Sequence, residues 1–401
     1  MSFRFSVTAL VALVAASAGC ERSRKLSRKL PSAQTIATSI ATSRTAAASA
    51  TTSLVPGMVP SADASKPSAS AIAPTNPPAI HCKALSKRGL VSIGVLREEL
   101  LQLAVDGPNV MAFSYHPGLA RISLTQFRRD GTAPVVIGRH TSRGEPKSPV
   151  LQADAAYFTR NKALYRMPRD GGATVELASG FAGSIAVQGG YVYGVRCDAK
   201  QPKDQLNRVA ITGGPIERVA DIEHTTPAEQ DPGTFECDYH SLVADSQAVY
   251  AGHWNGRRIL RIALADRTVT TLATKTTYPE SLHLIDDKLY FQAQYGVYRS
   301  SKTNADAVRV TELGAAPFTL IAYSREGLII HASEPYAVEE WTYAFPFATG
   351  VPSKLEYFKA QKPEQVPADT GIRDIAVDDE CVYIARQLEG YLAIYARKRP
   401  W

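Results

Sequence analysis

The chain has 401 residues, 45% hydrophobic content and a formal net charge of +7, the bulk composition of a soluble globular protein. Nearly all of that charge sits in the first eighty residues, where Arg4, Arg22, Arg24, Lys25, Arg28, Lys29, Arg44 and Lys66 stand against only Glu21 and Asp63. The remainder is close to neutral, which removes the usual electrostatic argument for nucleic-acid binding.

Residues 1–20, "MSFRFSVTALVALVAASAGC", combine Arg4, an apolar run from Phe5 to Ala16, and small residues before Cys20. This is the layout of a secretory signal peptide and is too short for a lasting membrane span. The ending "SAGC" resembles the lipobox of bacterial lipoproteins, with Ser17 where that family usually has leucine. The resemblance implies lipidation of Cys20 and membrane attachment in the cell envelope. Glu21, unlike the aspartate of inner-membrane retention signals, favours the outer membrane; a plain secreted or periplasmic protein is the alternative. Residues 21–81 are built mainly of Ala, Ser, Thr and Pro, as in "SKPSASAIAPTNPPAI". Such a segment buries too little apolar surface to offset its ordering entropy, so it is predicted to be a disordered tether with a reach on the order of 45 Å.

Beyond the tether the pattern changes to short runs of β-branched and aromatic residues. A first run, "GLVSIGVLRE" at residues 89–98, precedes a recurring unit: "SPVLQADAAYF", "SIAVQGGYVYG", "SLVADSQAVYA", "SLHLIDDKLYF" and "DIAVDDECVYI". In each, a small polar residue stands nine positions before a tyrosine: Ser148 and Tyr157, Ser184 and Tyr193, Ser241 and Tyr250, Ser281 and Tyr290, Asp374 and Tyr383. Two divergent copies, "QLAVDGPNVMA" with Met111 and "TLIAYSREGLII" with Ile329, bring the set to seven. The marker positions recur about every 45 residues, close to the one-blade period of a propeller. Each unit continues with further alternating runs, such as "ALYRMPR" and "ATVELAS", separated by turn signals such as "DGG" and "TGG". Residues 82–401 are therefore predicted to be all-β: a seven-bladed β-propeller with four antiparallel strands per blade. The last unit lacks a fourth strand, and the unassigned run at 89–98 is expected to supply it and close the ring.

The form "VY...LYR...DGG...LA", present here as "AAYFTRNKALYRMPRDGGATVELAS", resembles the divergent YWTD, NHL and TolB-like propellers of secreted proteins. The resemblance spans about residues 89–401 and implies architecture; it says little about the ligand, because propellers carry both enzymes and interaction scaffolds.

Setting Cys20 aside leaves an even four cysteines, which in an exported protein favours two disulfides over metal ligation. Cys197 with Cys237, on one face of the ring, and Cys82 with Cys381, across the closure, are the expected pairs; other pairings and free thiols stay open. The arginines Arg166, Arg208, Arg261 and Arg299 recur with the repeat and are expected to be structural, and His283 is expected to be a satisfied core histidine.

Length variation concentrates in links between blades and between second and third strands, which share the face around the channel entrance. The expected ligand rim on that face is His116, Tyr239, His240, His253, Trp254, Arg257, Tyr295, His331 and Tyr336. Signatures of nucleophile elbows, zinc proteases, phosphate loops and dinucleotide turns are absent, so no metal or cofactor is expected. The leading expectation is a lipid-anchored monomer that binds a protein or a glycan through the enlarged-loop face. A lyase or hydrolase at the channel mouth, using His240, His253, Glu280 and Asp374, is the alternative; three of these four converging would favour it.

Overall fold

Twenty-eight strands follow one another among the described residues of this computed structural model. It describes residues 81–82 and 90–401, except 142–143, 182, 198–200, 202, 224–238, 255, 275–278, 294–295, 304–306, 313–317, 334–339, 352, 356–370 and 389–390. The expected signal peptide, Cys20 and almost all of the expected tether therefore lie outside the described residues. The strands form seven four-stranded antiparallel sheets. Their inner strands are Glu99–Asp106, Lys147–Leu151, Ile185–Gln188, Tyr239–Ala244, Glu280–Ile285, Phe318–Ser324 and Ile372–Val377, in blades 1 to 7. Each inner strand touches the next and that of blade 7 touches that of blade 1, so the sheets make a closed ring. The protein is a β-propeller. In blade 7 the order is Val91–Leu96, Tyr391–Lys398, Cys381–Leu388, Ile372–Val377, so the outer strand comes from the N-terminal side of the chain.

The repeat's composition follows from the way blades stack. A second strand is covered on both faces by neighbouring blades, so Ala155–Arg160 in blade 2 and Ala248–His253 in blade 4 are buried at every position. Such strands read as continuous runs of small and aromatic residues, whereas the outer strand Val175–Ser179 is mostly exposed and reads as alternating. The repeat tyrosines Tyr157, Tyr250 and Tyr383 are buried to within 1% of complete, and a buried phenol needs a partner for its hydroxyl. The turn before each supplies one: Tyr157 Oη donates to Asp154 Oδ2 (3.0 Å), Tyr250 Oη to Asp245 Oδ2 (3.5 Å) and Tyr383 Oη to Asp378 Oδ2 (2.9 Å). Across the sheet the recurrent arginines face repeat tyrosines of blades 2 to 5, Arg166 opposite Tyr157, Arg208 opposite Tyr193, Arg261 opposite Tyr250 and Arg299 opposite Tyr290. Arg166 Nη2 lies 3.1 Å from Asp154 Oδ2, and the arginines are structural members of the repeat.

The small polar residue nine positions before the tyrosine joins one blade to the next. Ser148 Oγ lies 3.3 Å from Ser184 Oγ, Ser184 Oγ donates to the carbonyl of His240 (2.6 Å), and Leu282 N donates to Ser241 Oγ (3.0 Å). In blade 7 the equivalent Asp374 accepts from Leu103 N of blade 1 (2.5 Å) and from Ile375 N (2.8 Å). Apart from the serine pair, these bonds satisfy backbone groups of the inner strands. Cys82 and Cys381 form a disulfide with a Cα–Cα distance of 5.4 Å. Cys197 is also disulfide-bonded, while Cys237 lies outside the described residues.

Candidate functional site

The inner strands of all seven blades surround a central channel of about 830 Å³. Pairing between inner and second strands slips at the same end in several blades: between Leu100 and Gln102, Lys147 and Val150, Tyr239 and Ser241, Glu280 and His283, and Ile372 and Asp374. A bulge of this kind adds an unpaired residue and re-aims its side chain. In blade 4 the extra residue is His240. Its side chain is 46% exposed at the channel wall.

Around His240 three elements meet. The turn after the second strand of blade 4 carries Trp254, whose indole stacks on the imidazole with ring centres 5.3 Å apart and planes 16° from parallel. Trp254 Nε1 donates to Glu280 Oε1 (3.0 Å), at the start of blade 5, and His240 Nδ1 lies 3.9 Å from the same oxygen. Blade 5 can come this close because residue 252 is glycine: a Cβ there would stand 2.8 Å from both the Pro279 carbonyl oxygen and Leu282 Cδ1. The result is a flat apolar stack beside a carboxylate that is 37% exposed, an arrangement that can pack against a ring or aliphatic chain while accepting from a hydroxyl or amine.

Several expected rim residues are placed elsewhere. Tyr239 and His253 sit opposite each other in the blade 4 register and turn inward, so both are buried, with rings stacked 4.8 Å apart. Tyr239 Oη donates to buried Asp204 of blade 3 (3.0 Å), and Arg258 Nε donates to His253 Nδ1 (3.4 Å) while its Nη2 donates to the Glu223 carbonyl (2.7 Å). These two residues cement blades 3 and 4 and are not rim ligands. His331 is likewise buried, two residues inside its strand, with Nδ1 3.0 Å from Thr342 Oγ1. His116 stays at the blade 1 rim, where its Nδ1 accepts from Leu119 N (3.2 Å) and caps a short 3₁₀ turn. Arg257 is exposed in the Trp254 turn. Tyr295 and Tyr336 lie outside the described residues.

The four acid–base candidates do not assemble. Only His240 and Glu280 come together; His253 is packed against Tyr239, and both carboxylate oxygens of Asp374 accept backbone N–H groups at the blade 7 to blade 1 seam. Among the described residues no group of three His, Cys, Asp or Glu side chains has metal-binding geometry. His283 departs from its expected place in the core. It lines the channel against Tyr323, with ring centres 5.0 Å apart, and burial alone holds its pKa down at about 4, leaving the imidazole neutral.

No family model and no curated protein matches the sequence. Solved structures do resemble it. An oligogalacturonate lyase from Vibrio parahaemolyticus superposes with a TM-score of 0.51 at 11% identity, covering 78% of this chain and 93% of that one. The Neurospora crassa Pan2 WD40 domain gives 0.49 at 9% identity over 79% and 98%, and TolB from Acinetobacter baumannii gives 0.42 at 13% identity over 62% and 64%. At such identities the likeness shows the fold alone.

Proposed function

We propose that this chain is a cell-envelope binding protein, anchored through a lipid on Cys20, displayed on the 21–81 tether, and engaging a protein or a glycan at the channel mouth between blades 4 and 5. The observation that carries this reading is the cluster of exposed His240 with half-buried Trp254 and Glu280, built on a bulge and braced across two blades. Its stacked rings offer apolar surface at low conformational cost, and its carboxylate gives direction to a hydroxyl or amine of the ligand. A lyase or hydrolase reading rests on the His240 and Glu280 contact alone, since His253 and Asp374 are engaged elsewhere.

Screening immobilised glycans and envelope proteins with the wild-type chain and with Trp254→Ala tests the site. The variant is expected to bind about 10- to 100-fold more weakly to whatever the wild type retains. Equal binding by the two would overturn the assignment to this mouth. The anchor is tested separately: Cys20→Ser is expected to move the protein from the membrane to the soluble fraction, and unchanged membrane retention would sink the lipid attachment.

A further inference from the structure

In each blade the inner strand runs away from the mouth and the second strand returns to it, so the turn into the third strand lies at the mouth end of the ring. In blades 2 and 3 this end is basic. Lys147 opens the inner strand of blade 2 and pairs across the sheet with Thr159, Lys162 stands in the turn between its second and third strands, and Arg196 closes the second strand of blade 3. All three are exposed. The last two are neighbours: Gly180 N donates to the Lys162 carbonyl (2.6 Å), and a Cβ at Gly180 would stand 3.9 Å from Arg196 Nε. Elsewhere in the ring cations are matched to carboxylates, as Arg121 to Glu98, Arg166 to Asp154 and Arg208 to Glu217. Among the described residues none of these three makes an ion pair, and Arg160, buried at the base of the Lys162 turn, adds a further charge without a counter-ion. Exposed Glu145, in the link before Lys147, offsets one of these charges and leaves the sector positive. The patch adjoins the mouth: Ser148, next to Lys147, leads through Ser184 to the carbonyl of His240 by contacts of 3.3 and 2.6 Å.

We propose that the ligand is an acidic glycan lying across this end of the ring. Its anionic groups meet Lys147, Lys162 and Arg196, while a neutral sugar ring packs on the Trp254 and His240 stack and donates a hydroxyl to Glu280. The inference rests on the reading of the mouth as the binding site and narrows its ligand to one class. Second and third strands pair with each other right up to this end, Arg160 with Ala163 and His253 with Arg258. No strand edge is therefore open here to an extended peptide, and recognition falls to side chains that read the substituents of a ligand. Glu280 repels an anionic group at the stack, which places the charged units of the glycan over blades 2 and 3.

Fluorescent alginate, dextran and poly-L-glutamate of matched length are titrated with the full-length chain, and binding is read by anisotropy in about 50 mM and about 500 mM sodium chloride. The wild type is expected to bind alginate about 10-fold more tightly than either other polymer at low salt, and to lose about 10-fold at high salt as the charges are screened. Lys162 has φ +62°, in the left-handed region that favours glycine, so Lys162→Gly removes the charge and suits the turn. It is expected to weaken alginate binding about 3-fold and to leave dextran binding and Tm unchanged. Lys147→Gln/Lys162→Gly/Arg196→Gln should weaken alginate about 10- to 30-fold, to the level of dextran. Wild-type binding to alginate no tighter than to dextran, equal binding to poly-L-glutamate, or a triple variant that keeps the preference would overturn the acidic-glycan assignment. Trp254→Ala separates the two readings: salt-dependent alginate binding that survives this substitution unchanged would remove the mouth and leave the basic patch, whereas Trp254-dependent binding without preference for alginate would do the reverse.

Discussion

Removing the bridge between Cys82 and Cys381, as Cys82→Ala/Cys381→Ala, is expected to lower the free energy of unfolding by about 4–5 kcal/mol. The bond joins residues 299 apart, so it restricts almost the whole propeller in the unfolded chain, and the entropy it removes grows with the logarithm of that length. In the folded protein both cysteines are fully buried in the cluster that packs blade 7 against blade 1, with Ile93, Leu103, Phe127 and Leu392. The loss therefore includes packing as well as chain entropy. The strand Val91–Leu96 follows Cys82 and, among the described residues, pairs only with Tyr391–Lys398. Without the bond this pair should open first, so amide exchange in 91–96 and 391–398 should accelerate before the rest of the ring. Denaturant unfolding of the two proteins measures the effect, and a difference under about 1 kcal/mol would contradict the entropic argument. The double variant leaves Cys197 and its bond intact, which simple reduction would not.

The architecture was legible because a propeller repeats its solutions. A polar residue at the inner-strand bulge, an aspartate in the following turn and a tyrosine on the second strand recur for the same physical reasons in several blades. Those reasons are unpaired strand edges and buried hydroxyl groups, and they leave a fixed spacing in the sequence. The same regularity placed Cys82 beside Cys381. Side-chain direction at the rim was less legible, because period-two counting fails across a bulge. His240 is the extra residue and points out, while Tyr239 before it and its cross-strand partner His253 point in. Nothing in "DYHSLVAD" announces where the register slips. Asp374 looked like a free acid, although it occupies the place that serine holds in other blades, and its bond to Leu103 N follows from that place.

Asp374 gives the second large effect, a dependence of stability on pH. Burial against the inner strands raises its pKa to about 7, against the lowering influence of the bonds from Leu103 N and Ile375 N. The unfolded chain releases this proton near pH 4, so between about pH 4 and pH 7 the folded state binds more protons than the unfolded state. Stability from this group is thus fully present below pH 4 and is lost as pH rises through 7. The shift of about three units sets an upper bound near 4 kcal/mol, and channel water reduces it to on the order of 2–4 kcal/mol. Asp374→Asn resembles the protonated acid in shape and charge and does not titrate. Its amide keeps only one of the two acceptor oxygens, which offsets it from the wild type by a constant amount, so its stability relative to the wild type should rise by about 2–4 kcal/mol between pH 3 and pH 8. Subtracting the two stability curves removes the contribution of every other titrating group. Parallel curves from pH 4.5 to 8 would mean that the carboxylate at the ring's seam ionises freely, and that its two backbone bonds, not its burial, set its charge.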